Sequence, residues 1–155
     1  MDHFESVVVE YLRADRSLFV NAQCCIQLNS GPNPDTSGPH WYCDAVAVSL
    51  KLQRAFLCEI TYADPPSSLQ KRLTGWDREW PLLRAALERD SGVPAAWPLQ
   101  PWLFIAAKLQ PRIDTFLRTL SFGHMPRPRI THLEQVMPWQ YCSWDRAPEH
   151  GGFEP

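Results

Sequence analysis

The chain has 155 residues and a mass of 17.8 kDa, about one domain on a prior of roughly 150 residues per domain. Hydrophobic residues make up 45% and charged residues 21%, which excludes a disordered chain, a fibre and a coiled coil. A formal charge of −2 and a pI near 6.2 exclude a protein that holds nucleic acid by bulk positive charge alone. The balance is uneven along the chain, with net charges of −3 over residues 1–59, +4 over 60–130 and −3 over 131–155. A local basic face is therefore compatible with the acidic total.

In residues 4–12, Phe4, Val7, Val8, Tyr11 and Leu12 recur at helical spacing and predict an amphipathic helix with Glu5 near the edge of its apolar stripe. From 18 to 28 the period changes. Leu18, Val20, Ala22, Cys24, Ile26 and Leu28 alternate with more polar neighbours, as in a half-buried strand. The segment 29–40, with three prolines and two glycines, reads as a loop. WYCDAVAVSL and AFLCEITYA, joined by a polar link around Lys51 to Arg54, read as a β-hairpin. Pro65 and Pro66 end the second of these strands, and Ser67 or Ser68 is expected to cap a long helix that kinks or breaks near Pro81. Residues 102–109 read as a buried strand, 113–122 as a helix and 130–136 as a last strand. The domain is expected to span 1–137, with an irregular tail from 138 to 155 containing Trp139 and Trp144.

Five cysteines, Cys24, Cys25, Cys43, Cys58 and Cys142, include no CxxC pair and no Cys/His ligand spacing, so a zinc site is not expected. The first residues lack a basic segment before an apolar run, unlike a signal peptide. No run reaches the roughly 18 apolar residues of a membrane span. A cytoplasmic protein that does not enter membranes is the expectation.

The chemistry-bearing residues are carboxylates. Asp44 lies in the first strand of the hairpin and Glu59 in the middle of the second. An antiparallel pairing brings them near each other. A Glu between Cys58 and Ile60 is unfavourable unless it is paired or neutralised. With Glu5 approaching from the first helix, these carboxylates have the donor type that holds Mg²⁺.

On these residues the chain resembles the PD-(D/E)XK nuclease superfamily, the restriction-endonuclease-like fold, over roughly residues 4–110. ESVVVEYL is similar to the helical glutamate segment of small resolvase-like members, with Glu5, Val8, Tyr11 and Leu12 matching. YCDAVAV matches the strand that carries the metal-binding aspartate, here Asp44, with Cys43 in place of the usual proline. LCEITYA matches the strand that carries the second acid, Glu59, and Thr61 replaces the lysine two residues later. Some members recruit that lysine, or a glutamine, from the following helix, where Gln70 and Lys71 stand.

The resemblance implies an α/β domain with a central mixed sheet and an αβββαβ core, hydrolysing DNA phosphodiester bonds with Mg²⁺ or Mn²⁺. Glu5, Asp44 and Glu59 would hold the metal. Asp44 and Glu59, with Lys71 or Gln70, would form the catalytic set. Lys71, Arg72, Arg78 and Arg84 would contact the DNA backbone. A catalytically inactive nuclease-fold protein, binding a protein or nucleic-acid partner through its Trp- and Arg-rich surface, competes with this reading. So does an unrelated small α/β protein. Many members of the superfamily dimerise, so the resemblance also allows a homodimer.

Each residue has a plainer alternative. Glu5 is a first-turn carboxylate favoured by the helix dipole. Asp44 serves a turn, and Glu59 pairs with Arg54 or Lys51. Lys71 and Arg72 form a solvated helix face, Trp76 and Trp80 share a core-facing stripe, and His124 and His132 are structural.

Overall fold

The computed structural model describes residues 1–30 and 38–141. Cys142, Trp144 and the rest of the expected tail beyond Tyr141 lie outside them, as does most of the expected proline-rich loop. The elements are α1 (His3–Ala14), β1 (Leu18–Gln27), β2 (His40–Ser49), β3 (Arg54–Thr61), α2 (Ser67–Ser91), β4 (Leu99–Ile105), α3 (Gln110–Leu117) and β5 (Arg129–His132). The strands form one mixed sheet in the order β1-β2-β3-β4-β5. β1, β2 and β3 are antiparallel neighbours, and β4 and β5 add in parallel. β2 and β3 are joined by the short link 50–53, whereas the two parallel joins are made through α2 and α3.

Two apolar clusters cover the two sides of the sheet. Val8, Val9, Tyr11 and Leu12 of α1 pack with Phe56, Cys58, Ile60, Trp102 and Phe104. Leu69, Leu73, Trp76, Trp80 and Leu83 of α2 and Ile113 of α3 pack with Leu57, Leu103 and Ile105. β3 and β4 thus have apolar side chains on both faces, which explains their nearly unbroken apolar sequences.

The regular alternation expected for β1 is broken halfway. Leu18, Val20 and Ala22 belong to the α1 side, whereas Cys24, Ile26 and Leu28 belong to the α2 side. β2 reverses at the same level, with Trp41 and Cys43 on the α2 side and Ala45 and Ala47 on the α1 side. Between the pairs Ala22↔Ala45 and Cys24↔Cys43 lie Gln23 and Asp44. Gln23 has φ 53°, a left-handed conformation uncommon for a non-glycine residue. The reversal is therefore centred on the Gln23–Asp44 level.

Several boundaries differ from the sequence expectation. α2 runs unbroken through Pro81, because its buried stripe continues from Trp80 to Leu83 and Leu87 while Pro81 faces solvent. Neither Ser67 nor Ser68 caps it; Pro66 occupies the cap position and contributes no side-chain hydrogen bond. Residues 107–109 form a 3-10 turn leading into α3 rather than the end of β4. α3 starts and stops earlier than its apolar spacing indicated. The last strand is Arg129–His132, so of the expected 130–136 only the first three residues lie in it, and Leu133–Gln135 forms a second 3-10 turn.

Candidate active site

The β2–β3 ladder ends at Ala45↔Cys58. One step further, where Asp44 and Glu59 would face each other, the Ile60 N–H donates instead to Asp44 Oδ2 at 2.7 Å. A side chain has replaced the backbone partner, so the Asp44 carboxylate is fixed at the seam between the two strands. Burial above all, with the charges of Glu5 and Asp2 from the α1 segment, holds Asp44 above the usual carboxylate range, while the Ile60 amide and Arg72 of α2 oppose it.

Glu59 shares the α2 side with Leu57 and is 5% exposed. Arg72 reaches it from α2, with Nη1 2.6 Å from Oε1 and 2.7 Å from Oε2, and lies 3.9 Å from Asp44 Oδ1. Burial and the charge of Asp44 nevertheless push Glu59 up to about 8 against the pull of Arg72. One guanidinium thus faces two carboxylates in a poorly solvated setting, and the site is short of positive charge.

The cation at Glu59 is Arg72 rather than a residue expected there from the sequence. Neither Lys51 nor Arg54 pairs with it, and Lys71 and Gln70 are not the groups that reach it. The reason is helical phase. Leu69, Arg72, Leu73, Trp76 and Trp80 follow the buried stripe, whereas Lys71 is rotated about 100° from Arg72. Lys71 is exposed and borders a cavity of about 300 Å³ with His40, Trp41, Tyr42, Ser68 and Arg72. Gln70 instead lines a surface depression with Pro111, Arg112 and Phe116. The apolar stripe alone pointed to Arg72.

Glu5 adopts the plainer role weighed for it. Its backbone N–H donates to Asp2 Oδ1 at 2.8 Å, and its carboxylate accepts from the Asp2 N–H at 3.2 Å, forming a capping box at the start of α1. Its charge reaches Asp44 without a direct contact. Among the described residues no group of three His, Cys, Asp or Glu side chains is gathered as a metal centre, so the expected Glu5–Asp44–Glu59 triad is not assembled.

No family model, curated protein or solved structure matches the chain.

The remaining expected nucleic-acid contacts are dispersed. Arg84 Nη2 donates to the carbonyls of Ala95 and, at 2.5 Å, Trp97, so this guanidinium ties α2 to the following loop. Arg78 is exposed and lies 3.5 Å from Glu79. Lys71 and Arg72 border one cavity, whose lining includes neither Asp44 nor Glu59. Thr61 Oγ1 accepts from the Ala63 N–H at 3.1 Å at the end of β3. Trp76 and Trp80 are buried, with ring centroids 6.4 Å apart, in the core role. Trp139 is exposed.

The donor set fits a hard divalent cation in kind. Mg²⁺ is commonly held by one or two carboxylates, with water and substrate phosphate completing its shell. Asp44 and Glu59 supply those carboxylates, both raised first of all by burial.

Proposed function

We propose that the chain is a restriction-endonuclease-like protein that hydrolyses DNA phosphodiester bonds with Mg²⁺ or Mn²⁺ at Asp44 and Glu59. The observation that carries this reading is the convergence of Asp44 from β2, Glu59 from β3 and Arg72 from α2. Two carboxylates held together out of water are unfavourable for folding alone, and such crowding is characteristic of functional sites. The succession α1-β1-β2-β3-α2-β4 agrees with the αβββαβ core that the sequence motifs imply.

In this reading Asp44 and Glu59 hold the cation, whose chemistry is to polarise the phosphate and lower the pKa of a bound water. Arg72 takes the cationic place left by Thr61: its guanidinium is already beside both acids and offers donors to a phosphate oxygen. Lys71 supplies backbone-phosphate attraction from the adjoining cavity rim. A phosphodiester is repelled by the two carboxylates until a cation offsets them, so this reading requires the metal.

The test is incubation of the full chain with supercoiled, linear and single-stranded DNA in Mg²⁺ or Mn²⁺. Cleavage that is lost in both Asp44→Asn and Glu59→Gln supports the assignment. Cleavage that persists in both removes the site.

A second reading is favoured by one contact: Arg72 Nη1 engages both oxygens of Glu59, leaving a neutralised acid where the nuclease needs a ligand. This reading is a catalytically inactive nuclease-fold module that binds a protein or nucleic acid. It predicts no cleavage with either metal. In its nucleic-acid form, it predicts salt-dependent DNA binding weakened by Lys71→Ala.

A further inference from the structure

We propose that Cys24 and Cys43 form a redox-active pair, in which a peroxide oxidises Cys24 first and Cys43 then resolves it to a disulfide joining β1 to β2. The two residues are direct partners across the antiparallel ladder. Opposed residues in such a ladder have Cα atoms about 4.5–5.5 Å apart, within the roughly 4.4–6.8 Å span of protein disulfides. Both side chains lie on the α2 side of the sheet. This inference is independent of the phosphodiester reading.

Their surroundings differ in the way an attacking and a resolving thiol require. Cys24 is half-buried and lines an open apolar cavity of about 480 Å³ with Ile26, Val46, Val48, Ala86 and Leu87. Cys43 is 1% exposed behind it. Asn21 Nδ2 donates to Cys24 Sγ at 3.7 Å, and the neighbouring Cys43 thiol lowers Cys24 against burial and the charge of Asp90. A partly exposed thiol on an open cavity, with a second thiol buried directly across the ladder, is the arrangement of an attacking and a resolving cysteine. The other described cysteines lack it: Cys25 is opposite Tyr42, and Cys58 is buried with the α1 cluster.

The chemistry balances with a peroxide as the oxidant. The Cys24 thiolate attacks one oxygen of hydrogen peroxide, the O–O bond breaks, and hydroxide leaves, giving a sulfenic acid. The Cys43 sulfur then attacks the Cys24 sulfur. The S–O bond breaks, an S–S bond forms, and the Cys43 proton departs with the hydroxide as water. Overall, two thiols and one peroxide give one disulfide and two waters, and the thiols supply the two electrons.

The test uses the full chain carrying Cys25→Ser and Cys142→Ser, treated with hydrogen peroxide while folded. After alkylation and proteolysis at Asp35, which separates the two cysteines, mass spectrometry is expected to find the Cys24 and Cys43 peptides joined until reduction. Adding Cys24→Ser should leave Cys43 reduced. Adding Cys43→Ala should leave a dimedone-reactive sulfenic acid at Cys24. The proposal is overturned if the joined peptides contain Cys58, if both thiols remain fully alkylatable after peroxide, or if Cys43 is oxidised equally in Cys24→Ser. Should Cys43→Ala fail to fold, the Cys24→Ser result decides the order of attack.

Discussion

A single guanidinium nitrogen of Arg72 bridges both carboxylate oxygens of Glu59, at 2.6 and 2.7 Å. The contact joins the first turns of α2 to β3. It also places one cation beside a second acid, Asp44, which the Ile60 amide holds at the strand seam. Structure and chemistry are coupled here, because the helix is anchored through the same charges that form the candidate site.

Above about pH 8, where Glu59 is ionised in the folded chain, Arg72→Ala should therefore destabilise the protein by about 3 kcal/mol, near the lower end for breaking a buried pair, since Arg72 retains some solvent contact. Much of that loss is the penalty of stranding Glu59. Adding Glu59→Gln to Arg72→Ala should recover part of it. Urea denaturation of the wild type, both single variants and the double variant measures the coupling. Strict additivity would show that the bridge contributes nothing.

Stability should also fall as the pH rises from about 5 to 8. Glu59 is raised from 4.5 to about 8 in the folded chain. Between those values the unfolded chain releases a proton that the folded chain retains, so raising the pH favours unfolding. Below this window both states are protonated and the contribution vanishes; above it the full penalty persists without further slope. Thermal melts of Glu59→Gln should show a flatter profile than the wild type across this window, and parallel profiles would contradict the assignment.

The sequence carried the element order and the two strand-borne acids because period-2 and period-3.6 patterns determine which side chains face a core. It did not carry the reversal at Gln23, since one residue in the left-handed region leaves no mark on composition. Arg72 was legible only through its phase with Leu69, Leu73 and Trp76; as a charged residue beside Lys71 it read as solvated surface. Glu5 matched a motif, yet Asp2 three residues earlier also completed a capping box, and that local hydrogen bonding determines where its carboxylate sits.

Gly75 should not tolerate a methyl group. A Cβ there would clash with the Trp41 ring, and Trp41 Nε1 donates to Glu79 Oε2 at 2.5 Å one turn along α2. Gly75→Ala brings a helix-propensity gain of up to about 1 kcal/mol, but overpacking of this kind costs about 1–3 kcal/mol. The expected outcome is a net loss in chemical denaturation with a blue- or red-shifted Trp41 emission as the ring is displaced. A more stable variant with unchanged fluorescence would show that the ring yields freely.

Divalent cations should stabilise the folded chain, and the pattern across variants identifies the ligands. A cation bound only by the folded state adds about 2.7 kcal/mol at a hundredfold excess over Kd, which a thermal melt in Mg²⁺ or Mn²⁺ detects. Asp44→Asn and Glu59→Gln should each abolish the shift. Glu5→Gln keeps an acceptor for the Asp2 N–H, loses only the favourable charge at the start of α1, and should leave the metal-dependent shift in place. Because binding at Glu59 displaces a proton held up to about pH 8, the shift should grow as the pH rises from 6 to 8. Loss of the shift in Glu5→Gln would restore the three-carboxylate arrangement, and no shift in the wild type would favour the binding module over the nuclease.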